Sequence, residues 1–117
     1  MTDKELLELA AKAAGIEICG PATKFIASGV TDLDLVIRND RGGDSVWNPL
    51  TYDGDALRLA VKLNLSLSTG PCIVKCNSIS GALRGNFIEE DSIYQDHYAA
   101  TRRAIVRAAA EIGKNEN

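Results

Sequence analysis

The segment from Trp47 to Asp55 constrains the fold of this chain more than any other. Asn48 precedes Pro49, and clash with a proline ring pushes the preceding residue out of the helical region of backbone space. The chain must therefore turn here. Asp53 and Asp55 follow, and carboxylates are favoured near the positive N-terminal end of a helix. The segment predicts a structured loop that opens into a helix.

We predict this helix over residues 54–63. Either Thr51 or Asp53 can cap it, because both side chains accept hydrogen bonds from the free backbone N–H groups of a first turn. Apolar residues then recur at the spacing of a helical face. The predicted inward face consists of Leu57, Ala60, Val61 and Asn64, with Leu59 and Leu63 adjoining it.

A helix is also predicted at the start of the chain. Thr2 and Glu5 have the spacing of a capping box, in which each side chain satisfies a free N–H of the other residue. Gly15 supplies the left-handed residue that commonly ends a helix. The apolar residues that recur at helical spacing between them are Leu6, Leu9, Ala10 and Ala13.

The last predicted helix is longer. Ser92 or Asp96 can cap it, and we expect it to run to Ile112 and to end at Gly113, by the same preference for glycine after a helix. Its predicted inward stripe consists of Tyr98, Ile105, Ala109 and Ile112.

Short strands are predicted between the helices from alternating or β-branched apolar residues bounded by turn residues. Gly20-Pro21 is expected to stop the first strand, and the glycine-rich segment 39–44 is expected to form a turn or loop. The predicted strands cover 16–19, 24–27, 33–37, 65–68, 72–76 and 86–89. Three helices with short strands predict an α+β fold.

Size and charge narrow the class of protein. A chain of 117 residues is expected to form a single domain, and at this size it can bury a sufficient core without disulfides or metal. The formal net charge is −3. Proteins that bind nucleic acid gain affinity by placing lysine and arginine against phosphates, so the charge argues against a nucleic-acid partner.

The three cysteines, Cys19, Cys72 and Cys76, are an odd number, which favours a reducing compartment. The charged start from Met1 to Glu5 lacks the apolar region of a secretory signal. No apolar run approaches the ~20 residues that span a bilayer. We expect a cytoplasmic protein with no membrane contact.

Two stretches carry a resemblance to a known family. Residues 47–63 read WNPLTYDGDALRLAVKL and resemble the central motif of small bacteriophage proteins grouped as the phage ABA-sandwich domain. Residues 100–109 read ATRRAIVRAA and are similar to the closing helix of that family, and residues 6–15 also fit. The segment 21–44 departs from the family, which usually has more aromatic residues there.

The resemblance implies a three-layer α-β-α sandwich with a small, mainly antiparallel sheet and a phage or prophage origin. It implies no activity, because none is established for the family. The role of each residue must therefore be argued from its chemistry.

The segment from Trp47 to Asp55 contains the densest cluster of polar and aromatic side chains. As a recognition surface, Trp47 could stack on a ligand or anchor a partner protein, and the carboxylates could bind a cation or hydrogen-bond donors. As a structural element, the tryptophan would close the edge of the core, Asn48 would bond to the backbone of the turn, and the aspartates would cap the helix. The candidate binding residues here are Trp47, Asn48, Tyr52, Asp53 and Asp55.

Arginines on the last helix form the most basic stretch. Arg102 and Arg103 could supply phosphate contacts if they converge with the Trp47 loop. Arg103 and Arg107 lie four residues apart on one helix face. The alternative is a solvated face on which Arg107 pairs with Glu111.

A metal site would have to combine His97 with Cys72 and Cys76. The two cysteines lie four residues apart on a predicted strand, which separates them by about 13 Å at about 3.3 Å per residue. They cannot share one tetrahedral ion over that distance. We expect no metal, and a single histidine without a partner that orients it is not expected to be catalytic.

Sequence motifs of enzymes are also missing. The segment 81–86 has spaced glycines but lacks the lysine and hydroxyl of a nucleotide-binding P-loop. We therefore expect a non-catalytic protein without cofactors. The first hypothesis is a phage accessory protein that binds a host or phage protein, for instance to inhibit a host defence system. The alternative is a protein that binds or sequesters a small, nucleotide-like ligand. The oligomeric state is left open.

Overall fold

In the computed structural model, the described residues are 2–25, 29–31, 33–38, 42–69, 73–78, 87–90 and 96–115, with the backbone alone described for 69, 73–78 and 87–90. Helices and antiparallel strands are mixed in this part of the chain, which confirms the α+β class. The three-layer order stays a prediction. The elements are α1 (Asp3–Ala14), β1 (Ile18–Pro21), β2 (Leu35–Arg38), β3 (Asp44–Trp47), α2 (Asp53–Lys62), β4 (Leu65–Thr69), β5 (Ile73–Ser78), β6 (Phe87–Glu90) and α3 (His97–Asn115).

Helix α1 begins and ends as the sequence predicts. The Thr2 hydroxyl oxygen accepts a hydrogen bond from the Glu5 backbone N–H at 3.2 Å. Gly15 adopts the left-handed conformation, with φ of 68°, and its N–H donates back to the last turn. The buried face consists of Leu6, Leu7, Ala10, Ala11 and Ala14, with Leu9 and Ala13 packed against it.

Helix α3 begins at the predicted cap but extends beyond its predicted end. Asp96 Oδ1 accepts hydrogen bonds from the N–H groups of Tyr98 and Ala99, at 2.9 and 3.3 Å. The helix continues to Asn115, so the prediction that Gly113 ends it is wrong. Ser92 lies outside the described residues.

Gly113 has a packing role instead. It is buried inside α3, and a Cβ at this position would overlap the backbone carbonyl oxygen of Leu9 on α1. Glycine therefore allows the two helix backbones to approach closely. The buried alanines of both helices also keep this interface thin.

The predicted inward stripe of α3 is partly correct. Ile105, Ala109 and Ile112 are buried, as predicted, whereas Tyr98 is largely exposed. Tyr98 lies in the first turn, before the helix reaches the packed region. Helix α3 contacts α1, α2 and all three strands from β4 to β6, which places it at the centre of the described core.

The buried face of α2 agrees only in part with the predicted one. Ala56, Leu59 and Ala60 are buried, whereas Leu57 and Val61 are 63% and 67% exposed. The prediction is therefore correct for Ala60 and wrong for Leu57, Val61 and Asn64, which is also exposed. The helix has two apolar stripes at the same spacing, and the stripe that contains Leu59 packs against the core.

The first sheet is antiparallel, with the strand order β1-β2-β3. Strand β1 continues through Gly20 and Pro21, which were predicted to stop it. Pro21 is tolerated because β1 is an edge strand, where an N–H donor can be spared. A 3₁₀ helix at Ala22–Lys24 replaces the start of the strand predicted over 24–27. Residues 26–28 lie outside the described residues.

Strand β3 begins at Asp44, the end of one predicted loop, and ends at Trp47, the start of the next. It pairs with β2 in a register that sets Leu35 opposite Trp47 and Arg38 opposite Asp44. The first two residues of β3 are exposed, and only Trp47 at its end is buried. The strand therefore lacks the regular alternation of apolar and polar residues by which a strand is recognised from sequence. Half of the turn predicted over 39–44, residues 39–41, lies outside the described residues, and Asp44 belongs to β3.

The second sheet is also antiparallel, with the order β4-β5-β6. It confirms strands at the three places predicted after α2. The turn from α2 into β4 passes through Asn64, which has a positive φ of 54°. None of the helices in the described part of the chain is both long and apolar enough to cross a membrane.

Candidate binding site

The loop between β3 and α2 is built on a buried pair of polar residues. Asn48 and Asp34 are only 1% and 2% exposed. Asn48 Nδ2 donates a hydrogen bond to Asp34 Oδ1, and the Thr31 N–H donates to Asp34 Oδ2, both at 2.9 Å. A buried carboxylate is costly unless it accepts hydrogen bonds, so these contacts fix the position of the loop.

The backbone of the loop also turns around Asn48. The Leu50 N–H donates to Asn48 Oδ1 at 3.1 Å. The N–H groups of Thr51 and Tyr52 donate to the Asn48 carbonyl oxygen, at 3.1 and 2.9 Å. Asn48 thus satisfies three N–H groups that would otherwise need water.

Helix α2 begins without the predicted caps. Tyr52 occupies the cap position with an extended backbone and makes no side-chain capping bond. The prediction that Thr51 or Asp53 caps the helix is therefore wrong. Asp55 instead reaches back from the first turn, and its Oδ2 accepts a hydrogen bond from the Asn48 N–H at 3.0 Å. Both aspartates remain near the positive helix end, where carboxylates are favourable.

The two candidate arginines serve different parts of the structure. Arg102 Nε donates to the Leu50 carbonyl oxygen at 2.9 Å, and Arg102 Nη1 donates to Asp53 Oδ1 at 2.7 Å. This side chain is mostly buried and fastens the loop to α3. Arg103 Nη1 instead donates to Asp3 Oδ1 at 3.1 Å, at the start of α1. Arg103 therefore links α3 to α1.

Trp47 is the last residue of β3 and is only 4% exposed. It packs in the core cluster that includes Leu35 and Leu59. Tyr52 is exposed at the end of the loop. The structure thus gathers six of the seven candidate residues around one loop and places Arg103 elsewhere. Most of their polar groups hold the loop in place, and Trp47 offers little surface for stacking.

An open cleft of about 550 Å³ lies beside the buried tryptophan. The end of α1, strands β2 and β3 and helix α2 all contribute to it. Its charged lining residues are Arg38, Arg58, Lys62 and Asp55. Its apolar lining residues are Ala14, Ile16, Ile37, Val46, Trp47 and Leu59.

The three cations of this cleft were not among the sequence candidates. Arg58 and Lys62 are four residues apart on a predicted helix, so their shared face could have been found from spacing alone. Arg38 is on a different element, and only the packing of β2 beside α2 brings it to the cleft.

The set of His97, Cys72 and Cys76, which the sequence argues against as a metal site, lies largely outside the described residues. His97 is the first residue of α3. Cys72 and the side chain of Cys76 lie outside the described residues. In the part of the chain that the structure does describe, no three histidine, cysteine, aspartate or glutamate side chains come together as metal ligands.

Cys19 is exposed on β1, with its Sγ 3.8 Å from Asp44 Oδ1. Local desolvation, together with the negative charge of Asp44, raises the pKa of the Cys19 thiol. Nucleophilic attack requires the thiolate form. This environment therefore opposes rather than promotes the reactivity of the cysteine.

Comparison with known proteins gives no relative: no family model, curated protein or solved structure matches this chain.

Proposed function

We propose that this chain is a non-catalytic accessory protein of a bacteriophage or prophage that acts in the host cytoplasm by binding a host or phage protein. The binding surface in this proposal is the outer face of α2. The phage origin is supported by the resemblance of residues 47–63 and 100–109 to the phage ABA-sandwich domain. Inhibition of a host defence system is one role that such a protein could have.

The observation that carries the proposal is the exposure of two large apolar side chains on one helix face. Leu57 and Val61 are 63% and 67% exposed, and residues four apart are neighbours on a helix surface. Full burial of such a side chain is worth about 1.5–3 kcal/mol. A partner that covers both side chains would therefore gain about 2–4 kcal/mol from them, given that roughly two-thirds of each is available.

The anchoring of α2 supports the same proposal. The Asp53–Arg102 ion pair and the Asp55 contact to the Asn48 N–H hold the first turn of the helix against the loop. A surface that is rigid before binding loses less conformational entropy when it meets a partner. The loop then serves to present α2, and its polar residues need not touch the partner.

The non-catalytic part of the proposal is supported by how the polar groups near the loop are used. Asp55 and Arg102 each make a hydrogen bond to the backbone of the loop, and Asp34 accepts one from the Asn48 side chain. Any of them would have to leave a structural contact in order to act on a substrate.

The test is capture from infected or lysogenic cells, followed by quantitative comparison of three tagged proteins. These are the natural chain, the Leu57→Ser/Val61→Ser variant, and a Phe25→Ser variant. Phe25 is a matched control, because it is also a large exposed apolar residue but lies outside α2. We expect one protein to be enriched by the natural chain and the control and lost from the α2 variant.

Equal capture by all three proteins would refute the α2 surface as the binding site. Failure of the natural chain to enrich any protein would refute the proposed function itself. Thermal melting of each variant verifies that the substitutions leave the fold intact, since exposed positions usually change stability by less than about 0.5 kcal/mol.

A further inference from the structure

The cleft beside Trp47 has the size and lining of a small-molecule site. Its volume of about 550 Å³ falls within the range of about 300–1,000 Å³ that is typical of ligand pockets. Such sites are mostly apolar and contain a few polar groups that orient the ligand. Here the apolar part comes from strands β2 and β3, from Leu59 and from the chain that follows α1.

The charged residues at the cleft favour an anion. Three cationic side chains line it, namely Arg38, Arg58 and Lys62, whereas Asp55 is the one acidic lining residue among those described. The Asp55 side chain is mostly buried, and its Oδ2 already accepts the Asn48 N–H. Its charge is therefore partly compensated within the protein.

The cations retain hydrogen-bonding capacity. The Arg58 side chain is largely exposed, and its Nη1 lies 3.5 Å from Asp55 Oδ1, which leaves most of its five N–H donors available. Arg38 Nε lies 4.0 Å from Glu17 Oε2, and both side chains are more than half exposed. Ion pairs between exposed side chains contribute only about 0–1 kcal/mol to stability.

We infer that this cleft binds a small organic anion. Arg58 and Lys62, one helical turn apart, receive its oxyanion head group, which is a carboxylate or a phosphate. Arg38 faces the head group from the first sheet. A compact apolar body lies against Val46 and the edge of Trp47. This site is separate from the Leu57 and Val61 surface, and the inference does not rest on the proposed function.

The single tryptophan of the chain makes a direct test possible, because Trp47 lines the cleft. Its fluorescence is titrated with benzoate and with phenyl phosphate, which distinguish the two head groups. Benzyl alcohol serves as the neutral probe, and inorganic phosphate serves as the probe without an apolar body. We expect a saturable change with at least one aromatic anion and at least tenfold weaker binding of the other two probes.

A pair of matched double variants locates the binding. Arg58→Ala/Lys62→Ala removes two cations from the cleft, and Lys24→Ala/Lys114→Ala removes the same charge from exposed positions that do not line it. We expect the affinity for the bound anion to fall at least tenfold in the first variant and less than twofold in the second. Leu57→Ser/Val61→Ser should bind the anion as the natural chain does.

Three results would overturn the inference. The first is the absence of any saturable response to both aromatic anions. The second is binding of the neutral probe or inorganic phosphate as tightly as the aromatic anions. The third is an equal loss of affinity in the two charge variants, which would indicate attraction to net charge and not a site.

Discussion

Substitution of Asn48 by alanine should destabilise the protein more than any surface change near the loop. The side-chain amide makes two hydrogen bonds, one to the Asp34 carboxylate and one from the Leu50 N–H. A hydrogen bond to a charged group contributes about 1.5–3 kcal/mol and a neutral one about 0.5–1.5 kcal/mol. Their combined loss lowers the free energy of unfolding by about 3 kcal/mol.

Urea unfolding followed by circular dichroism measures this change directly. We also expect the melting temperature to fall by about 10 °C, on the scaling between stability and melting for chains of this size. Asn115→Ala is the control, because this asparagine is exposed at the end of α3, and its stability should stay within about 0.5 kcal/mol.

Exchange of the Asp34 and Asn48 side chains gives a second test of the same contact. Asn48→Asp alone sets two carboxylates against each other inside the protein, whereas Asp34→Asn together with Asn48→Asp restores a donor and an acceptor. The double variant should therefore be more stable than the Asn48→Asp variant. A loss below about 1 kcal/mol for Asn48→Ala, or no recovery in the exchanged pair, would refute the buried contact as the anchor of the loop.

Further predictions concern two helix glycines, Arg102 and Cys19. Gly113→Ala should lower the free energy of unfolding by about 1–3 kcal/mol, since the added methyl group meets the backbone of α1. Gly54→Ala should raise it by about 0.5–1 kcal/mol, because a Cβ in this first turn of α2 makes only ordinary contact with the Arg58 side chain. Chemical denaturation measures both changes. Arg102→Gln should lower the free energy of unfolding by about 1.5–3 kcal/mol, mainly through the lost hydrogen bond to the Leu50 carbonyl oxygen, since Asp53 is 72% exposed. Hydrogen exchange should show the loop opening. The raised pKa of Cys19 keeps its thiol protonated at neutral pH, so alkylation at this residue, followed by mass spectrometry, should accelerate only above the ordinary range for cysteine, about pH 8.5.

Each of these predictions has a result that contradicts it. A Gly113→Ala protein as stable as the natural chain would mean that α1 and α3 are farther apart than described. Unchanged exchange in the loop of the Arg102 variant would remove that side chain as its link to α3. Half-maximal alkylation of Cys19 near neutral pH would show that its environment stabilises the thiolate.

The parts of the fold that could be predicted from sequence are those specified by neighbouring residues. Thr2 and Gly15 delimit α1, and Asp96 begins α3, because a cap acts on N–H or carbonyl groups within one helical turn. The strands after α2 were recognised for a similar reason, since alternation along one strand reports one buried face.

Predictions from the sequence are wrong where a contact between distant parts of the chain decides between two local alternatives. Gly113 has the local signature of a helix end, but its proximity to α1 explains why glycine is present. Leu57 and Leu59 lie on two apolar stripes of one helix, and only the position of α3 and the first sheet determines which stripe is buried.

At the candidate site, too, contacts between distant parts of the chain could not be predicted from the sequence. Trp47, Asn48 and Asp55 were recognised as a cluster because they are close in sequence, but Asp34 was not, since it comes from another part of the chain. The cleft depends on Arg38 in the same way. Which of the polar residues support the loop could be learned only from their partners in space.

In the proposed function, the loop supports α2 and the outer face of α2 binds the partner. Titration of the captured partner against the natural chain and against Leu57→Ser/Val61→Ser tests it most directly. Loss of at least about 2 kcal/mol of apolar burial should weaken binding by at least about 30-fold, while the melting temperature stays unchanged. Affinities within twofold of each other would contradict the proposal.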